Sequence, residues 1–158
     1  QTGFLATPFL MGALEKIGRK DIAKAILYQT KSHSWLYEVE KGATSMWESW
    51  TAMDENGNPE KVSFDHYAFG VIDEWFRRRV CGIDFIEAGF KKLKIAPDPF
   101  YGFEKFSRTL VAEAGEIKVA RNRNTLSVSI PVNTTATVEW QGKTYEIGSG
   151  DYVFGGDE

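Results

Sequence analysis

The spacing of apolar residues changes once along this chain, near residue 82, and that change excludes most folds. Before it, apolar side chains recur every three or four residues; after about residue 90 they recur every second residue. Thr7-Pro8 reads as N-cap and first helical position, with Phe9, Leu10, Ala13, Leu14 and Ile17 following at helical spacing up to Gly18. Ile22, Ala23, Ile26 and Leu27 mark a second helix, close enough behind to pair with the first as an antiparallel hairpin. Ser63 reads as the cap of a third helix, whose face carries Phe64, Tyr67, Ala68, Val71, Ile72 and Trp75 and which runs to about Cys81. Residues 31–61 show no period and contain the turn residues Asn56-Gly57-Asn58-Pro59, so this stretch is expected to be a long loop.

Further on, Leu93 and Ile95, then Ile117 and Val119, then Leu126, Val128, Ile130 and Val132, then Ala136, Val138 and Trp140 alternate with polar residues, the mark of half-buried strands. Asn122-Arg123-Asn124 and Gln141-Gly142-Lys143 fall between them as hairpin turns. Helices followed by strands, without strand–helix alternation, exclude a doubly wound sheet. The expected class is α+β: helical hairpins over residues 1–82, then an antiparallel β-sandwich over residues 88–158. Three helices make a thin layer that would leave apolar side chains uncovered, so the chain reads as part of something larger, in keeping with its start at Gln1.

Composition narrows the function. A net charge of −3 with mixed signs offers no positive field for phosphate, and no basic cluster is interleaved with aromatics, so nucleic acid is not expected as a partner. No apolar run approaches the length of a spanning helix and no signal peptide opens the sequence, so no membrane association is expected. The lone Cys81 allows no internal disulfide and reads as a small buried residue. Two histidines without metal-ligand spacing predict neither metal nor cofactor.

Aromatic content is high at 14%, and three of the five tryptophans, Trp35, Trp47 and Trp50, crowd one stretch. Within it, Glu48 lies one residue after Trp47 and two before Trp50. Sugar rings pack their C–H faces on aromatics, and a carboxylate stabilises an oxocarbenium-like transition state, so Trp with Glu suits glycosidase chemistry. The same pattern also fits a surface glutamate between two core tryptophans. His66, in the first turn of the expected third helix, shares a face with Gly70 and Asp73, where the missing side chain leaves room for a ligand beside the imidazole. The alternative is a capping or solvent-facing histidine. Asp54, Glu55, Asp65 and Glu74 are further carboxylates, none pairing convincingly with Glu48.

Taken in order, Thr2-Gly3-Phe4-Leu5-Ala6-Thr7-Pro8, Ser34-Trp35-Leu36-Tyr37, Gly42 through Trp50, and Ser63 through Gly70 resemble the α-L-rhamnosidases of glycoside hydrolase family 78. The Gly-Ala-Thr-x-x-Trp-Glu-x-Trp run from Gly42 is the most specific element. Lys92 through Pro97 and Pro131 through Ala136 resemble that family's C-terminal domain. The resemblance implies that residues 1–82 are the final hairpins of an (α/α)6 barrel, followed by a jelly-roll-like sandwich. It implies inverting hydrolysis of rhamnose-containing glycosides, with Glu48 as general base, His66 contacting the sugar and Trp47 and Trp50 lining its pocket. The family's general acid lies in an earlier motif absent from this sequence, so the upstream part of the same chain would supply it, together with any signal for a periplasmic or extracellular location. Ala6 and Asp65 depart from the family's usual Gly and Asn; the second bears on how the imidazole of His66 is held. The competing reading is a non-catalytic carbohydrate-binding or structural module, which would line exposed aromatics along one sheet face.

Overall fold

In a computed structural model, which describes residues 2–156, the chain forms two compact units, Gln1–Trp75 and Phe76–Glu158. The first contains α1 (Thr7–Lys16), α2 (Lys20–Leu27), α3 (Trp35–Glu40), a 3₁₀ turn at Tyr67–Val71 and α4 (Ile72–Trp75). Pro8 lies in the first turn of α1, where no N–H is required, but Ala6 takes the cap position and Thr7 is already helical, its hydroxyl donating to the Gly3 carbonyl at 2.9 Å. Met11 and Thr7 face inward, whereas Phe9 and Ile17 are exposed, so the apolar stripe is wider than the face that α1 buries here.

Two local expectations fail for physical reasons. The stretch expected to be a long loop contains α3, capped by the Ser34 hydroxyl, which accepts the Tyr37 N–H at 3.2 Å. Six residues are too few for a helical period to show in sequence. The third helix is neither capped by Ser63 nor regular. Ser63 instead bends its own segment, its hydroxyl donating to the Asp65 carbonyl and accepting the Asp65 N–H. The cap is His66, and the helix proceeds as a 3₁₀ turn, a single α turn and a π segment at Phe76–Val80.

Between α3 and that turn the chain doubles back. Asp54 closes the tip by accepting both the backbone and side-chain N–H groups of Asn58, at 2.7 and 2.9 Å. The two arms are tied by Glu60 N–H to Ala52 O (2.7 Å), Glu48 N–H to Ser63 O (3.0 Å) and His66 N–H to Met46 O (2.8 Å). Tyr37, Trp47 and Ala52 form the buried centre beneath, flanked by Ala43, Met53, Val62 and Phe64.

The second unit is a sandwich of two four-stranded sheets. One has the order β1 (Ile83–Phe85), β2 (Lys92–Ile95), β6 (Thr135–Trp140), β7 (Lys143–Ile147). The other has the order β3 (Lys105–Ala112), β4 (Gly115–Asn122), β5 (Thr125–Ile130), β8 (Gly150–Phe154). Alternate residues of both, among them Leu93, Ile95, Ile117, Val119, Leu126, Val128 and Val138, fill one shared core. The expected hairpin turns are present, with Arg123 at φ 51° between β4 and β5, and Gln141 and Gly142 at φ 49° and 75° between β6 and β7. The sandwich departs from purely antiparallel pairing at one place. β2 and β6 run parallel, Leu93 opposite Ala136 and Ile95 opposite Val138, because β3, β4 and β5 of the other sheet intervene between them. Gly82 immediately precedes β1 at φ 72°, and any Cβ there would lie 2.2 Å from the Ala96 carbonyl carbon and the Pro97 nitrogen. Cys81 is buried.

Candidate active site

Glu48 lies in the arm that leaves α3, one residue beyond the fully buried ring of Trp47. Its backbone N–H donates to Ser63 O, and its carboxylate Oε2 accepts the Ser63 N–H at 2.8 Å. Ser63 therefore fixes the residue at both main chain and side chain. Oε1 makes no hydrogen bond among the described residues. The half-buried carboxylate is anchored through one oxygen and offers the other.

The Met46–His66 backbone bond places His66 on the neighbouring arm of the same ladder, so sequence-distant candidates are brought into one local frame. The imidazole Nδ1 accepts the Ala68 N–H at 3.2 Å. With Nδ1 as acceptor, the neutral ring carries its proton on Nε2, which becomes a donor pointing away from the chain's own bond. The ring is stacked on Tyr67 at 5.0 Å between centroids, with Phe4 tilted at 6.2 Å. The expected common face of His66, Gly70 and Asp73 does not form. A 3₁₀ turn has three residues per turn, so positions four apart diverge. A Cβ at Gly70 would meet nothing nearer than Met46 Cγ, at 3.9 Å.

The two tryptophans are placed differently. The Trp47 ring is 2% exposed, in the core against Phe64, edge to face at 5.3 Å. Trp50 stacks on Phe69 at 3.7 Å, meets Trp35 edge-on at 5.2 Å and donates its indole N–H to Thr2 O at 2.9 Å. It also lines a cavity of about 340 Å³, with Thr2, Thr7, Leu10 and Trp35 among the other walls. Neither Glu48 nor His66 is among the lining residues. His33 lines it too, and its carbonyl accepts from the Gln29 side chain at 3.2 Å.

One residue escaped the sequence reading. Glu38, on α3, is 2% exposed; Oε2 accepts the Trp47 N–H at 3.4 Å and Oε1 has no partner. Burial pushes its carboxyl up to about 7, against the opposing pull of the Trp47 N–H. The available signal was spacing: Glu38 follows Trp35 by three residues on a capped helix, and so shares its buried face.

The outward faces of the two sheets carry no aromatic ladder among the described residues. Ser107, Thr109, Lys118, Ser127 and Asp151 cover one, and the Lys94–Glu139 ion pair and Thr137 lie on the other. Among the described residues no group of three or more His, Cys, Asp or Glu could hold a metal ion, and no helix is long and apolar enough to cross a membrane.

The family model for the bacterial alpha-L-rhamnosidase 6 hairpin glycosidase domain matches residues 1–80, and that for the bacterial alpha-L-rhamnosidase C-terminal domain matches residues 82–153. An α-L-rhamnosidase of Formosa agariphila is 38% identical over 146 residues, covering 88% of this chain and 16% of that protein. One of Streptomyces avermitilis is 35% identical over 144 residues, covering 87% of this chain and 14% of that protein. Among solved structures, Streptomyces avermitilis α-L-rhamnosidase complexed with L-rhamnose has a TM-score of 0.85 at 31% identity, covering 96% of this chain and 17% of that one. The native enzyme of Aspergillus terreus has a TM-score of 0.87 at 30% identity, covering 97% and 19%. The chain thus spans 14 to 16% of the length of these curated relatives.

Proposed function

The chain belongs to the bacterial α-L-rhamnosidase family, and from that premise we propose that it is the C-terminal part of an inverting α-L-rhamnosidase acting on terminal α-L-rhamnosides, to which it contributes the general base, Glu48. The observation that carries this reading is the asymmetry of the Glu48 carboxylate, held by Ser63 N–H through Oε2 while Oε1 is unengaged. A base must be fixed in place and still have a lone pair for the proton it takes.

In the proposed reaction, water attacks the anomeric carbon from the face opposite the leaving oxygen and gives its proton to Glu48. A general acid in the upstream part of the protein protonates the departing glycosidic oxygen. Water must fit between base and sugar, so the two carboxyls should be roughly 6.5–9.5 Å apart. One carboxylate cannot serve both faces of the ring, and residues 1–158 alone therefore do not complete the site. His66 donates from Nε2 to a sugar hydroxyl, its tautomer fixed by Ala68. Trp50 presents apolar surface to the cavity it lines with Trp35, and Trp47 contributes as the buried support of Glu48.

Glu48→Gln in the full-length protein keeps shape and loses basicity. It should lower kcat on aryl α-L-rhamnosides by roughly 10²–10⁴-fold with rhamnose affinity largely retained. In Glu48→Ala, azide should enter the vacated space and yield the β-configured glycosyl azide. Near wild-type kcat in Glu48→Gln would remove Glu48 from the reaction.

A further inference from the structure

Glu38 is the only carboxylate among the described residues that is fully buried. It holds the segment carrying Glu48 at both ends. Its carbonyl accepts the Ala43 N–H at 3.0 Å, where the segment departs from α3, and its carboxylate accepts the Trp47 N–H at 3.4 Å, immediately before Glu48. For that one long bond a carboxylate is withdrawn from water, with its second oxygen left unpaired. Methionine would fill a similar space without the cost of burying an ionisable group. A buried ionisable group that opposes stability, one residue removed from a reacting group, points to function.

We propose that Glu38 is a positioning residue for Glu48, setting through the Trp47 backbone the place from which Glu48 addresses the attacking water. The proposal rests on the reading of Glu48 as general base. Trp47 transmits the constraint because its ring is locked between Tyr37 and Phe64, so its amide moves only with the segment. An ionised carboxylate accepts an N–H more strongly than a neutral one. The segment is therefore held hardest when Glu38 is charged and slackens when it is protonated, which its raised value of about 7 places near neutrality. Charged groups on the surrounding elements are otherwise occupied: Glu40 is exposed, Lys41 donates to Glu55 O, Glu48 is bound to Ser63 and Asp54 to Asn58. None of them contributes to the shift.

The test is the pH profile of kcat/KM on 4-nitrophenyl α-L-rhamnoside, measured on the full-length protein as wild type, Glu38→Gln and Glu48→Gln. Wild type should show a partial fall, roughly tenfold and carried by kcat rather than KM, as pH drops through about 7. In Glu38→Gln that step should vanish, because the amide cannot titrate. A step that persists in Glu38→Gln overturns the proposal. So does a wild-type profile without a step near 7, which decides the matter even if Glu38→Gln fails to fold. Glu48→Gln separates the two readings. An active Glu48→Gln defeats the general-base assignment, whereas an inactive Glu48→Gln with identical wild-type and Glu38→Gln profiles defeats only the role of Glu38.

Discussion

The two units bury their apolar residues by different means. In the sandwich, two sheets supply each other's core: inward positions such as Leu93, Ile95, Ile117 and Val138 are at 0% exposure, and outward positions are mostly polar. In the helical unit, Leu5, Phe9, Ile17 and Tyr67 stand 70 to 88% exposed while Trp47 and Phe69 are buried beneath irregular backbone. The regularity of a sheet pair with a shared core leaves little space for side chains with other tasks. The helical unit carries all the candidate chemistry, placed where the chain leaves regular structure: Glu48 on an irregular arm, His66 at the entry to a 3₁₀ turn, Glu38 buried without full satisfaction. Stability and activity should therefore respond to different residues.

The largest expected effect on stability would confirm or break that division. Leu93→Ala removes a wholly buried side chain from the layer between the sheets and should cost about 2–5 kcal/mol, seen as a lowered calorimetric transition in the full-length protein. Activity per folded molecule should be unchanged, the mirror image of Glu48→Gln, which should lose activity and keep its transition. A loss of kcat in Leu93→Ala at temperatures where the protein is folded would show that the two units are coupled in function.

The same contrast explains what could be read in the sequence. The sandwich was legible because strand alternation recurs in β2, β4, β5 and β6 and each inward residue is buried for the same reason, whereas β1 and β3 were not read from it. The parallel pairing of β2 with β6 was not, because period alone carries no strand direction. In the helical unit, α1 and α2 were legible from spacing, but α3 was too short to show a period and the third helix passes through three different windings between Tyr67 and Val80. The candidate site drew on a motif rather than on periodicity. Ser63 was visible as a cap-like residue, yet its actual bonds, to Glu48 across the ladder, depend on a pairing fifteen residues apart that no local rule encodes. Glu38 was hidden because glutamate is ordinarily exposed on a helix, and only the tertiary cover of the 43–53 segment buries it.

A smaller effect than the core substitution follows from that burial, and its sign is opposite. The folded-state value of Glu38 is raised from 4.5 to about 7, so between those values the native state holds a proton that the unfolded chain has released. Its contribution to stability is complete below about 4.5, declines as pH rises and is lost above 7. The loss is at most about 3 kcal/mol by the conversion of a pKa difference, and water reaching the site would reduce it. Glu38→Gln abolishes the titration. Its midpoint temperature relative to wild type should rise between pH 5 and pH 8, whatever constant offset the amide introduces. A difference that stays flat across this range would mean that Glu38 is solvated in solution.

The smallest effect lies on the sandwich surface and sharpens the claim that this unit is held by its core. Lys94 on β2 and Glu139 on β6 form an ion pair at 2.6 Å on the outward face of the parallel pair, each side chain more than 40% exposed. Short as the contact is, both groups remain hydrated, and fixing two long side chains costs rotamer entropy that offsets most of the attraction. A double-mutant cycle with Lys94→Met and Glu139→Gln should give a coupling of about 0.2–1 kcal/mol, and 1 M salt should erase it because screening then acts within about 3 Å. The backbone ladder between Lys94 and Thr137 does not depend on these side chains, so the strands should stay paired in both single variants. A coupling well above this range, or one that survives high salt, would mean that the parallel pairing of β2 with β6 is held from its surface as well as from the Leu93, Ile95, Ala136 and Val138 layer beneath.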